Sequence, residues 1–246
     1  MTPATGNDPD RTPVGQAAPD AAQGHVSSKF IRREAALAAM DAKHAKISAQ
    51  RFSLLRTRIL REMRSRGWSR LAVVPVTPGA GGTFVAVNLA LALARQPHTQ
   101  VTLIDLDLGK PSVAGQLGIP GCTAVSAALR EGGGGLGALV SRVDEAPNLS
   151  VLAPDRAEPD AAELLQDEAL AQAMRQLHDS HPARIAVIDT AALLGEDAAL
   201  AALPLADALL LVVDGRSGTA SDMAECERLL VGMPPVMGVV LNKSED

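Results

Sequence analysis

Leu71-Ala72-Val73-Val74-Pro75-Val76 runs into Thr77-Pro78-Gly79-Ala80-Gly81-Gly82-Thr83, and then into a long apolar stretch from Phe84 to Arg95 that Pro97 closes. The first run reads as a buried strand, the glycines as a tight turn, and the third segment as a helix. Strand, glycine-rich turn and helix together form an anion cradle. Backbone N–H groups of the turn and of the helix N-terminus converge on a phosphate, and the helix dipole adds to the attraction. A working loop of this type ends in Gly-Lys-Ser/Thr, where the lysine reaches the β/γ-phosphates and the hydroxyl binds Mg²⁺. Here the ending is Gly81-Gly82-Thr83. The hydroxyl is present, and a glycine stands where the lysine belongs. A glycine-rich turn alone also suits an ordinary strand–helix junction, so its surroundings decide the reading.

Outward from this core, short β-branched runs alternate with helical patterns. Strands are expected at 101–105, 149–152, 184–189, 208–214 and 237–242, and helices near 125–130, 161–177 and 220–230. Gly132-Gly133-Gly134-Gly135 reads as a flexible run. Strands that alternate with helices imply βαβ units, a mostly parallel sheet and a three-layer α/β fold. Ligands of such sheets gather along the carboxyl edge. Two strands end there in carboxylates. Leu103-Ile104-Asp105-Leu106-Asp107 supplies a pair, and Val187-Ile188-Asp189-Thr190 supplies a third. Carboxylates, a Thr hydroxyl and phosphate oxygens are how Mg²⁺ is held in phosphoryl-transfer sites. A single strand-end Asp would more simply cap the next helix. Three in this succession favour the metal reading.

Composition bounds the rest. The chain has 246 residues, of which 47% are hydrophobic and only 2% aromatic, so an aliphatic core of ordinary domain size is expected. Residues 67–246 would form that domain. Residues 1–28, with four prolines and three glycines, read as a disordered tail. Residues 29–66 read as a basic helical region in which Phe52, Leu55, Ile59 and Met63 make one apolar stripe. From Lys29 to Arg70 there are 12 basic and 3 acidic residues, a net of +9, against −5 for the whole chain. Such asymmetry points to an anionic partner, either protein or lipid headgroups, rather than to nucleic acid. No apolar run could cross a bilayer and no signal-peptide pattern opens the sequence, so a cytoplasmic location is expected. Cys122 and Cys226 fit no metal spacing and are expected to be reduced.

From Ala49 to Lys243, roughly four-fifths of the chain, the ordered motifs resemble the bacterial tyrosine kinases of capsule and exopolysaccharide export. These belong with the partition and cell-division ATPases among P-loop proteins. Thr77–Thr83 resembles the Walker A loop, Leu103–Ser112 the second acidic motif peculiar to these kinases, and Ile188-Asp189-Thr190 Walker B. Gly238–Lys243 is similar to the terminal strand whose Asn reads adenine. The resemblance implies that Gly79, Ala80, Gly81, Gly82 and Thr83 line the phosphates of ATP or ADP and that Asn242 contacts adenine. It further implies that Thr83, Asp105 and Asp189 hold Mg²⁺, with Asp105 and Asp107 as catalytic carboxylates. The implied partner is a membrane protein that sets polysaccharide chain length, met at its cytoplasmic face, with homo-oligomeric rings as a further implication.

The departures matter as much. Losing a phosphate-binding charge commonly costs about 10²–10³ in rate. Lys110, after Asp107, is the nearest basic residue that could compensate. Restoring lysine at position 82 would be expected to raise nucleotide affinity. The chain contains no tyrosine, so tyrosine autophosphorylation is excluded by composition. Ala191 and Ala192 stand where the family usually has prolines. Gln50 and Ser53 replace ring-contact residues, while Arg56 is kept. The sequence thus implies a degenerate, regulatory relative with weak or no turnover. The alternative is an active ATPase of the partition and cell-division branch that switches between monomer and dimer.

Overall fold

The computed structural model describes residues 24–32, 42–179 and 184–244. Its centre is an eight-stranded sheet of β1 (His25–Val26), β2 (Arg70–Pro75), β3 (Gln100–Asp105), β4 (Ser141–Val143), β5 (Leu149–Leu152), β6 (Arg184–Asp189), β7 (Ala208–Asp214) and β8 (Val236–Asn242). The spatial order is β1-β4-β5-β3-β6-β2-β7-β8. Every neighbouring pair is parallel except β4–β5. The central strands are continuous apolar runs because helices cover both faces.

Helix α1 (Ala42–Arg66) and helix α2 (Gly82–Ala94) lie on one face. The second sequence Gly-Thr-Phe-Val-Ala-Val-Asn-Leu-Ala-Leu-Ala-Leu-Ala is apolar on nearly every side. It is therefore sandwiched between the sheet and α1. The α1 stripe behaves as its spacing requires: Ile59 and Met63 are fully buried, and Phe52 and Leu55 pack at the rim. Phe52 meets Phe84 of α2 edge-on, with ring centroids 6.0 Å apart. Between β3 and β4 lie α3 (Val113–Leu117), α4 (Thr123–Arg130) and α5 (Leu136–Leu139). Helices α6 (Ala161–Leu165), α7 (Glu168–Asp179), α8 (Asp197–Ala202) and α9 (Ala220–Leu229) complete the chain.

Three expectations need adjustment, and some elements were not expected at all. The helix expected over 161–177 is two helices, because Asp167 Oδ1 accepts the Ala169 amide at 2.8 Å and starts a new one. The glycine run is an ordered turn: Gly132, Gly133 and Gly135 all have positive φ, and Gly133 N donates to Ala128 O at 2.7 Å. The expected tail boundary at residue 28 is too late. His25–Val26 pairs with β4, and the buried Ser28 hydroxyl donates to Leu117 O at 2.6 Å. The remainder of that tail, residues 1–23, lies outside the described residues, as do 33–41 of the basic region. Finally, β1, β4, α3, α5 and α8 carried no sequence pattern of their own. Cys122 and Cys226 are both free thiols, as expected. Among the described residues no helix is long and apolar enough to cross a membrane.

Candidate nucleotide and metal site

The parallel register brings the carboxyl ends of β2, β3, β6, β7 and β8 to one edge. At the end of β2 the chain turns through Gly79 (φ 81°) and Gly81 (φ 90°), left-handed conformations that glycine adopts without strain. Gly81 precedes α2 and offers no side-chain acceptor to its first turn. The amides of that turn therefore remain for an anion.

Gly82 opens α2 directly against Pro75. A Cβ placed on Gly82 would lie 2.6 Å from Pro75 Cγ and 2.9 Å from Cδ. Pro75 costs the sheet nothing. Its carbonyl accepts from Leu193 N at 2.8 Å, on the side where pairing with β6 has already ended at Val73–Asp189. The proline ring and the missing side chain are thus one structural feature. A lysine at position 82 would therefore first have to displace this ring, because even its Cβ would lie within 3 Å of it.

Three expected acids do meet. Asp105 and Asp189 are register partners on β3 and β6. Asp105 Oδ2 accepts the amides of Ser112 and Val113, both at 2.9 Å, and Oδ1 accepts the Asp107 amide at 3.2 Å. One Asp105 oxygen therefore does cap α3. Burial, opposed by those amides and reinforced by Asp107, pushes its pKa up to about 7. Asp107 is raised to about 6 by burial and by Glu196. Asp189 is fully buried, and burial and then Asp105 push it well above the ordinary carboxylate range. The Thr83 side chain is close enough to oppose that rise, but neither Asp189 oxygen has a well-formed hydrogen bond. Thr83 Oγ1 instead pairs with Ser112 Oγ at 2.9 Å, which links it through Ser112 to Asp105.

Magnesium fits this chemistry. Both Asp189 oxygens and Asp107 Oδ1 are buried without a hydrogen-bond partner, and such atoms want a cation. Among the described residues no three acidic, His or Cys side chains converge into a ready chelate. The carboxylates would thus share a cation with phosphate oxygens or water. When bound, Mg²⁺ would supply positive charge to phosphate oxygens. Lys110 is exposed; its backbone amide donates to Asp107 O at 3.0 Å, and a backbone hydrogen bond from Lys110 and then its charge hold the Asp107 pKa down.

Asn242 reaches the loop itself, where Nδ2 donates to Ala80 O at 2.9 Å. Pro75, Ser112, Glu196 and Lys243 also belong to the site, and sequence reading had not assigned them to it. Ser112 and Lys243 did sit inside recognised motifs. Glu196 had no local signal, because only the fold carries the start of α8 to Asp107.

No protein-family model matches the chain, and no curated protein does. Solved structures do. The kinase domain of Escherichia coli tyrosine kinase ETK superposes with a TM-score of 0.69 at 23% identity, over 78% of this chain and 74% of that one. The VpsO kinase domain gives 0.68 at 24% identity, over 84% and 99%. The septum site-determining protein MinD from Pyrococcus horikoshii, complexed with Mg-ADP, gives 0.58 at 20% identity, over 71% and 70%. The fold is that of P-loop NTPases, and it is more similar to the tyrosine kinase domains than to MinD.

Proposed function

We propose that this chain is a degenerate relative of the bacterial tyrosine kinases. It would act as a regulatory or scaffold module in capsule or exopolysaccharide biosynthesis and export, with weak or no nucleotide turnover. The observation that carries this reading is the Pro75–Gly82 contact. The lysine is absent, and the Pro75 ring packs so closely on Gly82 that even a Cβ there would lie 2.6 Å from it, which supports a loop that works without that charge. The absence of tyrosine removes the family's acceptor as well. In this reading Mg-ATP or Mg-ADP is held weakly at Gly79–Thr83, Asp105 and Asp189. The partner is the cytoplasmic face of a membrane chain-length regulator, which places the chain peripherally at the inner membrane. Basic α1 serves as the docking arm. Arg56, the retained ring-contact residue, turns one guanidinium nitrogen back to Ala92 O of α2 at 3.4 Å.

The test is calorimetric titration with Mg-ATP and Mg-ADP, paired with a phosphate-release assay. Micromolar-to-millimolar binding without turnover is expected. Turnover that vanishes in Asp105→Ala would overturn the reading. It would favour the second one, an ATPase of the partition and cell-division branch, for which the assembled Thr83, Asp105, Asp107 and Asp189 speak.

A further inference from the structure

The back of the phosphate loop is bound to β8 as closely as its front is open. Lys243 Nζ donates to Gly79 O at 2.6 Å and to Asp214 Oδ2 at 2.9 Å. Asn242 Nδ2 donates to Ala80 O. The same amide fills the space that a Cβ on Gly81 would need, at 2.2 Å. Asn242 is itself fixed, since its carbonyl accepts Gly215 N at 2.7 Å. Lys243 has φ 58°, the one positive φ outside glycine among the described residues. A long side chain there is strained and persists only where its surroundings hold it.

These bonds have a directional consequence. In a trans peptide the C=O of one residue and the N–H of the next point in opposite directions. Drawing Ala80 O toward β8 therefore aims the Gly81 N–H away from β8. Drawing Gly79 O the same way sets the next amide, Ala80 N, which bonds Thr77 O at 3.1 Å. The loop's amides are oriented before any anion arrives.

We propose that Asn242 and Lys243 are a clamp that sets the phosphate loop in its anion-binding shape. Lys243 is the positioning residue, and it places behind the loop a positive charge that Gly82 no longer places within it. This deepens the nucleotide-site reading and rests on it only where a ligand is concerned.

Hydrogen exchange of the full chain without ligand tests the clamp. Lys243→Met should speed exchange of the 77–85 amides about tenfold, the low end for a charge-assisted bond at a partly exposed site. Amides of β5 should not change. Lys243→Arg should restore most of the protection, which a purely space-filling role would not require. Asp214→Asn, which weakens one anchor of Lys243 without touching the loop, should give a smaller rise. Unchanged exchange in Lys243→Met, or no rescue by Arg, would overturn the clamp. Mg-ADP titration separates the two ideas. If wild type binds, Lys243→Met should bind about tenfold more weakly. If wild type binds none, the nucleotide reading falls and exchange alone decides the clamp.

Discussion

Replacing Gly82 by alanine should destabilise the protein, although alanine is the better helix former. The intrinsic gain is about 1 kcal/mol. Against it stand three contacts of the new Cβ with one ring, at 2.6, 2.9 and 3.2 Å from Pro75 Cγ, Cδ and Cβ. The pyrrolidine ring cannot rotate away, and it is buried at the end of a central strand. Overpacking of this kind costs about 2–3 kcal/mol, so the net loss should be about 1–2 kcal/mol. For a domain of this size that is a fall in Tm of about 3–6 °C. In a Pro75→Ala background Cγ and Cδ are gone, and the same change should become neutral or stabilising. The coupling read from thermal melts of the four proteins should be about 2 kcal/mol. Gly82→Lys alone should then fail to raise Mg-ADP affinity, while Pro75→Ala/Gly82→Lys should raise it. Additive Tm changes would refute the idea that the proline is what bars a lysine.

Falling pH should stabilise the ligand-free site through its three buried acids. Asp105 and Asp107 rise from 3.8 to about 7 and about 6, and burial pushes Asp189 well above the ordinary carboxylate range. Acids whose folded pKa is raised contribute stability below about pH 4 and lose it as pH climbs through the folded values. Tm should therefore fall between about pH 4 and pH 7 from these groups, and Asp189→Asn should flatten the slope, as melts in a buffer series would show. Millimolar Mg²⁺ should raise Tm at pH 7.5 more than at pH 5. Asp207→Asn should cost about 2 kcal/mol after allowance for solvent screening. Its carboxylate accepts Ser69 N, Arg70 N and the Arg70 guanidinium at 2.6–3.2 Å and ties β2 to the start of β7, a loss that denaturant melts would register. Met63→Ala should cost about 2–5 kcal/mol, whereas Leu54→Ala, 66% exposed on the same helix, should change stability by less than about 0.5 kcal/mol.

Local pattern carried most of the fold. Runs such as Arg184–Asp189 and Ala208–Asp214 are apolar because both faces are covered, and their boundaries could be read to the residue. The two-residue β1 and the short β4 were invisible, since so few residues hold no period and their pairing is supplied by distant partners. The split between α6 and α7 hung on one Asp side chain, which a periodicity count cannot see.

For the site, sequence alone determined its inventory: the glycine loop, Thr83, Asp105, Asp107, Asp189 and Asn242, no lysine at position 82 and no tyrosine anywhere. Such facts are one-dimensional and need no coordinates. Only the tertiary structure decided that Pro75 packs where a side chain on Gly82 would begin, that Asp105 spends an oxygen on α3, and that Asn242 and Lys243 grip the loop from the end of β8. The first two depend on how a short turn folds back on itself, which a linear pattern does not record, and the third joins groups 162 and 164 residues apart that only the parallel crossovers bring together.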